Sequence, residues 1–180
     1  MRTATIVLVA YVMCVMVSAI WRFMPGFLHD AVPAVGPLTA AYLGYTLRPY
    51  RAPSTAGVVV LGYLIDVVSG TPPGLTSLVL AITAEIARAT QQRIFVRGAS
   101  MTIGFSAFIA LISALASWVL RALFHGLPTA SASLELQHAA LIALSTAIVG
   151  PAVWKIFRRI DAAYARTHRE RDAALEGLVP

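Results

Sequence analysis

Most of the charge in this 180-residue sequence gathers in a few short stretches. It gathers at Arg48 to Arg51, at Arg88 to Arg97 and at Lys155 to Glu176. The uncharged intervals between are wide enough to cross a hydrocarbon core about 30 Å thick. Only 12% of the residues are charged and 58% are hydrophobic, with a mean hydropathy of +0.77, far more apolar than a soluble domain. The expected fold is an all-α integral membrane protein, a six-helix bundle. Residues 1–157 form the six-span domain and 158–180 a short cytoplasmic tail, helical at its start.

Apolar runs divide the first part into six segments. Span one covers Ala4 to Trp21, ending in the aromatic pair Trp21 and Phe23 expected at a membrane interface. Span two covers Ala31 to Leu47, with Pro33 and Pro37 near its start, where proline is best tolerated. Spans three (Ser54 to Ser69) and four (Gly74 to Arg88) are short, so they are little tilted, shielded by neighbours, or in one case partly re-entrant. Span five covers Ser100 to Leu120, and span six Leu136 to Phe157, with a kink expected at Gly150 and Pro151. Met1 to Ala19 has the outline of a signal peptide, but the run continues to Arg22, and an uncleaved span is expected.

Basic residues supply an independent test of this division. With both termini inside, twelve of the fourteen fall on the cytoplasmic side, leaving only Arg22 and Arg121 outside. Every short loop then obeys the positive-inside rule. The net charge of +6 therefore reads as membrane topology, and nucleic acid is not an expected partner.

Small residues recur at four-residue spacing, as helix packing in lipid requires: Gly36, Ala40 and Gly44; Ser106, Ala110 and Ala114; Ala139, Ala143 and Ala147. In the tail, Arg166 with Glu170 and Arg169 with Asp172 are candidate pairs on a continuing helix, worth about 0.2 to 0.5 kcal/mol each. Lys155, Arg158 and Arg159 at the membrane edge suit anionic lipid or a cytoplasmic partner.

Catalytic and cofactor chemistry is not visible. His29, His125, His138 and His168 form no recognisable pairing with serine or cysteine motifs, and no His or Cys spacing supplies metal ligands. Cys14 is the single cysteine, so no intramolecular disulfide forms. The stretch SGTPPG lacks the ending of a phosphate loop, and the sole lysine, Lys155, lies far away. Neither an enzyme activity nor a cofactor is expected.

Two acids remain inside apolar runs, Asp66 and Glu85, and an ionisable group at membrane depth is a functional candidate by default. A tight hairpin centred on Gly70 and Thr71 sets Asp66 beside Ser77 and Glu85 beside Val58. The two acids are then roughly 12 Å apart along the hairpin, too far to share a proton. Glu85 has Arg88 three residues on. Asp66 has Ser69, Thr71, Thr76 and Ser77 within reach. Gly70 suits a helix C′ position, Thr71 an N-cap and Pro72 the following N1. A structural or partner-orienting role is expected for Asp66, with proton or ligand binding the alternative.

At these residues the sequence resembles the rod-shape-determining MreD family of bacterial inner-membrane proteins. The pattern is Gly62, Asp66, Gly70, Pro72 and Gly74, with Thr76 where many relatives carry histidine. The resemblance implies a non-enzymatic scaffold of the cell-elongation machinery. The implied partners are an MreC-like membrane protein, the MreB filament, RodA and a class B penicillin-binding protein. It also implies a fold similar to the substrate-binding component of energy-coupling-factor transporters. The rival reading is a vitamin-type permease component, with Asp66, Tyr63, Tyr42 and Trp118 gathered around a cavity and Ala10, Cys14 and Ser18 as a coupling face.

Overall fold

A computed structural model describes residues 2–24, 31–46, 51–91, 98–124 and 131–176. Among them are six helices: α1 (Arg2–Trp21), α2 (Val35–Thr46), α3 (Arg51–Ser69), α4 (Leu75–Gln91), α5 (Ala99–Leu123) and α6 (Ala132–Glu176). Side chains of residues 45–46, 51–52, 91, 99 and 167–176 lie outside the description, and with them the Arg166–Glu170 and Arg169–Asp172 pairs. Three segments are long and apolar enough to cross a membrane: Arg2–Trp21, Ser100–Leu123 and Ala132–Arg166. Pro53–Ser69 is apolar but shorter.

The expected second span is where sequence and structure part most. Residues 31–34 have no regular secondary structure and the helix starts only at Val35. Its 12 residues rise about 18 Å, well short of a hydrocarbon core. α2 need not cross by itself, because all five other helices pack around it. From Leu38 to Leu43 every side chain is at most 1% exposed. The irregular lead-in is held by protein as well: the Ala34 amide donates to Thr146 Oγ1 on α6 at 2.9 Å, and Val35 N donates to the Pro33 carbonyl at 2.9 Å. Buried backbone without such partners would be costly in an apolar interior.

Small residues set the crossings. A Cβ at Gly44 would lie 2.5 Å from the Ala84 carbonyl oxygen, so α2 and α4 meet backbone to backbone. One at Gly150 would lie 2.5 Å from Ser106 Cβ, which closes α5 on α6. Gly150 therefore serves contact, and the helix continues through Pro151. Ser106, Ala110, Ala139 and Ala147 are buried in the same way. The Gly36, Ala40 and Gly44 stripe is wholly buried, while Ala114 and Ala143 of the other two are half-buried.

The outside is apolar instead. Leu8, Val67, Leu144 and Ile148 are each more than 60% exposed, and α1, α3, α4, α5 and α6 all carry large apolar side chains outward. At 45 residues, α6 is about 68 Å long, so it passes beyond any single bilayer core and shows no backbone break near residue 157.

One end of the bundle is tied by polar side chains from α1, α2 and α6. Arg2 donates from Nε to Asp161 Oδ1 at 2.7 Å and from its terminal nitrogen to Oδ2, while the Tyr42 hydroxyl donates to Oδ2 at 2.5 Å. Thr5 and Tyr164 share a hydrogen bond of 2.6 Å. Next to them Tyr42 packs edge-on against Trp154, with centroids 5.1 Å apart, and at a tilt of 45° against Phe157, also at 5.1 Å. The start of α1, the end of α2 and the Asp161 level of α6 therefore share one end. Asp66 and the Arg121–Glu135 pair, 3.4 Å apart, belong to the other.

The six-span topology expected from the charge pattern has a direct test. Reporter fusions at Arg51, Arg93 and Val179 should read cytoplasmic and those at Gly26, Thr71 and Pro128 periplasmic, whatever the lengths of α2 and α4. A periplasmic signal at Arg93 would show that the α3–α4 pair does not return to its starting side.

Candidate functional site

The motif residues converge on the reversal between α3 and α4. α3 runs past Asp66 to Ser69 and stops at Gly70, whose φ of +67° ends a helix without a Cβ penalty. The chain then passes Thr71 to Gly74, where φ is +99°, before α4 begins at Leu75. The expected cap is corrected by this path: Thr71 is not the N-cap and Pro72 is not N1, because the reversal takes three more residues. Pro72 instead supplies the carbonyl that accepts Leu75 N at 3.2 Å.

Asp66 itself is 1% exposed and fully engaged. Its Oδ1 accepts the Thr71 hydroxyl at 2.7 Å and the Thr76 amide at 3.0 Å, and its Oδ2 accepts the Gly74 amide at 2.8 Å. Two of these donors are backbone groups in the first turn of α4 or just before it, where amides have no partner within the helix and the helix dipole favours an anion. A carboxylate borne by α3 therefore caps α4, clamping the two helices at their common end. That geometry explains why an acid occupies an apolar run.

The hairpin register also differs from expectation. Ser77 crosses Gly62, about one turn earlier than a reversal centred on Gly70 and Thr71 would place it; a Cβ at Gly62 would lie 2.6 Å from the Ser77 amide nitrogen. The Ser77 hydroxyl consequently reaches the Val59 carbonyl at 3.0 Å and not Asp66. Ser69 is exposed at the rim.

Glu85 stays apart from this cluster. It pairs with Arg88 on the same helix, its side chain 62% exposed while that of Arg88 is 11% exposed. From Thr76 to Glu85 is about 13 Å along α4, so no carboxylate dyad forms. No group of three His, Cys, Asp or Glu side chains able to hold a metal occurs among the described residues. His138 is exposed; His29, His125 and His168 lie outside the described side chains.

The residues named for a permease cavity do not gather. Tyr42 lies in the aromatic core at the Asp161 end, Asp66 is closed in its turn, Tyr63 is 53% exposed and Trp118 lines a groove between α5 and α6. Ala10, Cys14 and Ser18 do not form an outer coupling face. Ala10 is buried, and Cys14 with Ser18 lines a cleft of about 730 Å³ between α1 and α3. Sequence periodicity missed this cleft because its walls come from helices far apart in the chain. Asp161 was missed for the same reason: its partners are 159 and 119 residues away.

No protein-family model, no curated protein and no solved structure matches this chain.

Proposed function

We propose that this chain is a non-enzymatic inner-membrane scaffold of the bacterial cell-elongation machinery, of the kind the MreD resemblance implies. In this reading both termini are cytoplasmic and the chain passes the membrane six times, with α2 and α4 sheltered by their neighbours. The carrying observation is that Gly62, Asp66, Gly70 and Gly74 each serve the α3–α4 clamp: one close crossing, one carboxylate drawing donors from Thr71, Gly74 and Thr76, and two positive-φ glycines. A motif wholly engaged in holding two helices in register supports a role in presenting a surface, and leaves no free nucleophile, base or ligand set there.

The partner surface in this reading is the outward apolar face of the bundle, since the small-residue stripes are occupied by contacts within the chain. An MreC-like membrane protein is the first partner, and the helix beyond Arg166 is available to MreB, RodA or a class B penicillin-binding protein. The energy-coupling-factor component fold remains part of this proposal. The cleft between α1 and α3 is the one observation favouring the vitamin-type transporter reading instead.

Co-purification separates the two. Detergent-solubilised protein should retain an MreC-like partner, and depletion should round rod-shaped cells. Stoichiometric retention of a vitamin, with uptake that depends on an energising ATPase and no change in shape, would establish the transporter in its place.

A further inference from the structure

α1 and α3 run in the same direction and are closed at one end only. Near their starts a Cβ on Gly57 would come within 2.8 Å of Thr3 Cγ2, so side chains of α1 pack directly on the α3 backbone there. Toward their ends a cleft of about 730 Å³ opens between them, inside the range of about 300 to 1,000 Å³ usual for ligand sites. Behind it lies a second hollow of about 270 Å³, which shares Cys14, Ser18 and Ile65 with the first and reaches the buried start of α2.

Polarity is graded along this cleft. Its polar lining is Arg22, Ser18 and Ser69, and its apolar lining includes Val15, Ile65 and Val68. Arg22 has no acidic partner among the described residues, whereas Arg2, Arg88 and Arg121 all do. From Arg22 to Tyr11 the cleft runs about 16 Å along α1, close to half of a hydrocarbon core about 30 Å thick. Val15 and Val68 are 39% and 58% exposed, so the lower part opens sideways on the apolar outside of the bundle.

We infer that this cleft binds an anionic phospholipid, with the headgroup phosphate on Arg22 beside the Ser18 and Ser69 hydroxyls and one acyl chain lying along Val15, Ile65 and Val68. A cation at the rim, an apolar floor one leaflet deep and a lateral opening together fit an amphiphile that enters from the bilayer. A small hydrophilic anion would satisfy only the rim. The inference stands on the cleft alone and holds whether or not the scaffold reading does.

The test uses the full chain in phosphatidylcholine vesicles doped with phosphatidylglycerol that carries a photoreactive group in its acyl chain, with adducts mapped to peptides. Labelling should concentrate between Tyr11 and Ala19 and at Ile65 to Val68. Photoreactive phosphatidylcholine should label the same peptides about fivefold less, as expected for one cation near a membrane surface. Arg22→Gln should remove that preference. Arg121→Gln should keep it, because Arg121 is engaged by Glu135. Val68→Trp, which fills the cleft from an exposed position, should lower labelling by both lipids while the helical circular dichroism is unchanged. Equal labelling by the two lipids in the native protein, an undiminished preference in Arg22→Gln, or displacement of the lipid by millimolar inorganic phosphate would overturn the proposal.

Discussion

Asp66→Leu should leave little folded protein in detergent and lower the thermal midpoint of what remains. Leucine removes the acceptors that hold the Thr71 hydroxyl and the Gly74 and Thr76 amides. Thr71 and Thr76 are half-buried and Gly74 is exposed, so water replaces part of what is lost, and a loss of about 1 to 3 kcal/mol is expected. Asp66→Asn should fall between. Its amide oxygen, placed where Oδ1 lies, keeps Thr71 and Thr76, but its NH2 group then faces the Gly74 amide, donor against donor. Size-exclusion recovery and thermal melting check the order native, Asn, Leu. Equal midpoints for Leu and native protein would remove the clamp as an explanation of this acid. Loss of cell-shape function in Asp66→Asn at normal protein levels would assign its charge a further role.

Gly62→Val is expected to be at least as severe, by a different route. Its Cβ would sit 2.6 Å from Ser77 N and 3.0 Å from Ser77 Oγ, and the nitrogen belongs to helical backbone that cannot swing aside. α3 and α4 would have to separate, breaking the Ser77–Val59 hydrogen bond and drawing the first turn of α4 away from Asp66. Overpacking at ordinary core positions costs about 1 to 3 kcal/mol, and a backbone clash belongs at or above the top of that range. Gly104→Ala is the matched control. Nothing lies within 4 Å of a Cβ there, so the change should be neutral or stabilise α5 by up to about 1 kcal/mol through helix propensity. Similar melting shifts for Gly62→Ala and Gly104→Ala would mean that the close crossing does not exist.

The same residues show how far local pattern reaches. Gly70 as the stop of α3 was legible, because a glycine after an apolar helix and before Pro72 and Pro73 admits few other readings. The start of α4 was not. Thr71 and Pro72 satisfy the rules for a helix N-terminus, yet Asp66 collects Thr71, Gly74 and Thr76 and so stabilises a longer reversal. A side chain five to ten residues upstream outweighed a local cap preference.

What the sequence determined by itself was the helical class and the alternation of long apolar and charged segments, because both follow from desolvation of side chains one at a time. Helix α6 running on past Phe157, the Glu85–Arg88 pair and the absence of an Asp66–Glu85 dyad were equally local, needing only the 1.5 Å rise and three-residue spacing of a helix. Tertiary structure alone decided which small residues face inward, that Asp161 gathers Arg2 and Tyr42, that α2 is an enclosed 12-residue core and that α1 opens from α3 into a cleft. Each depends on contacts between residues tens to more than a hundred positions apart. Periodicity gives a helix its faces but not its neighbours. In an almost uniformly apolar chain the faces differ too little in polarity to indicate which one is covered, so steric fit at Gly44, Gly62 and Gly150 makes that choice.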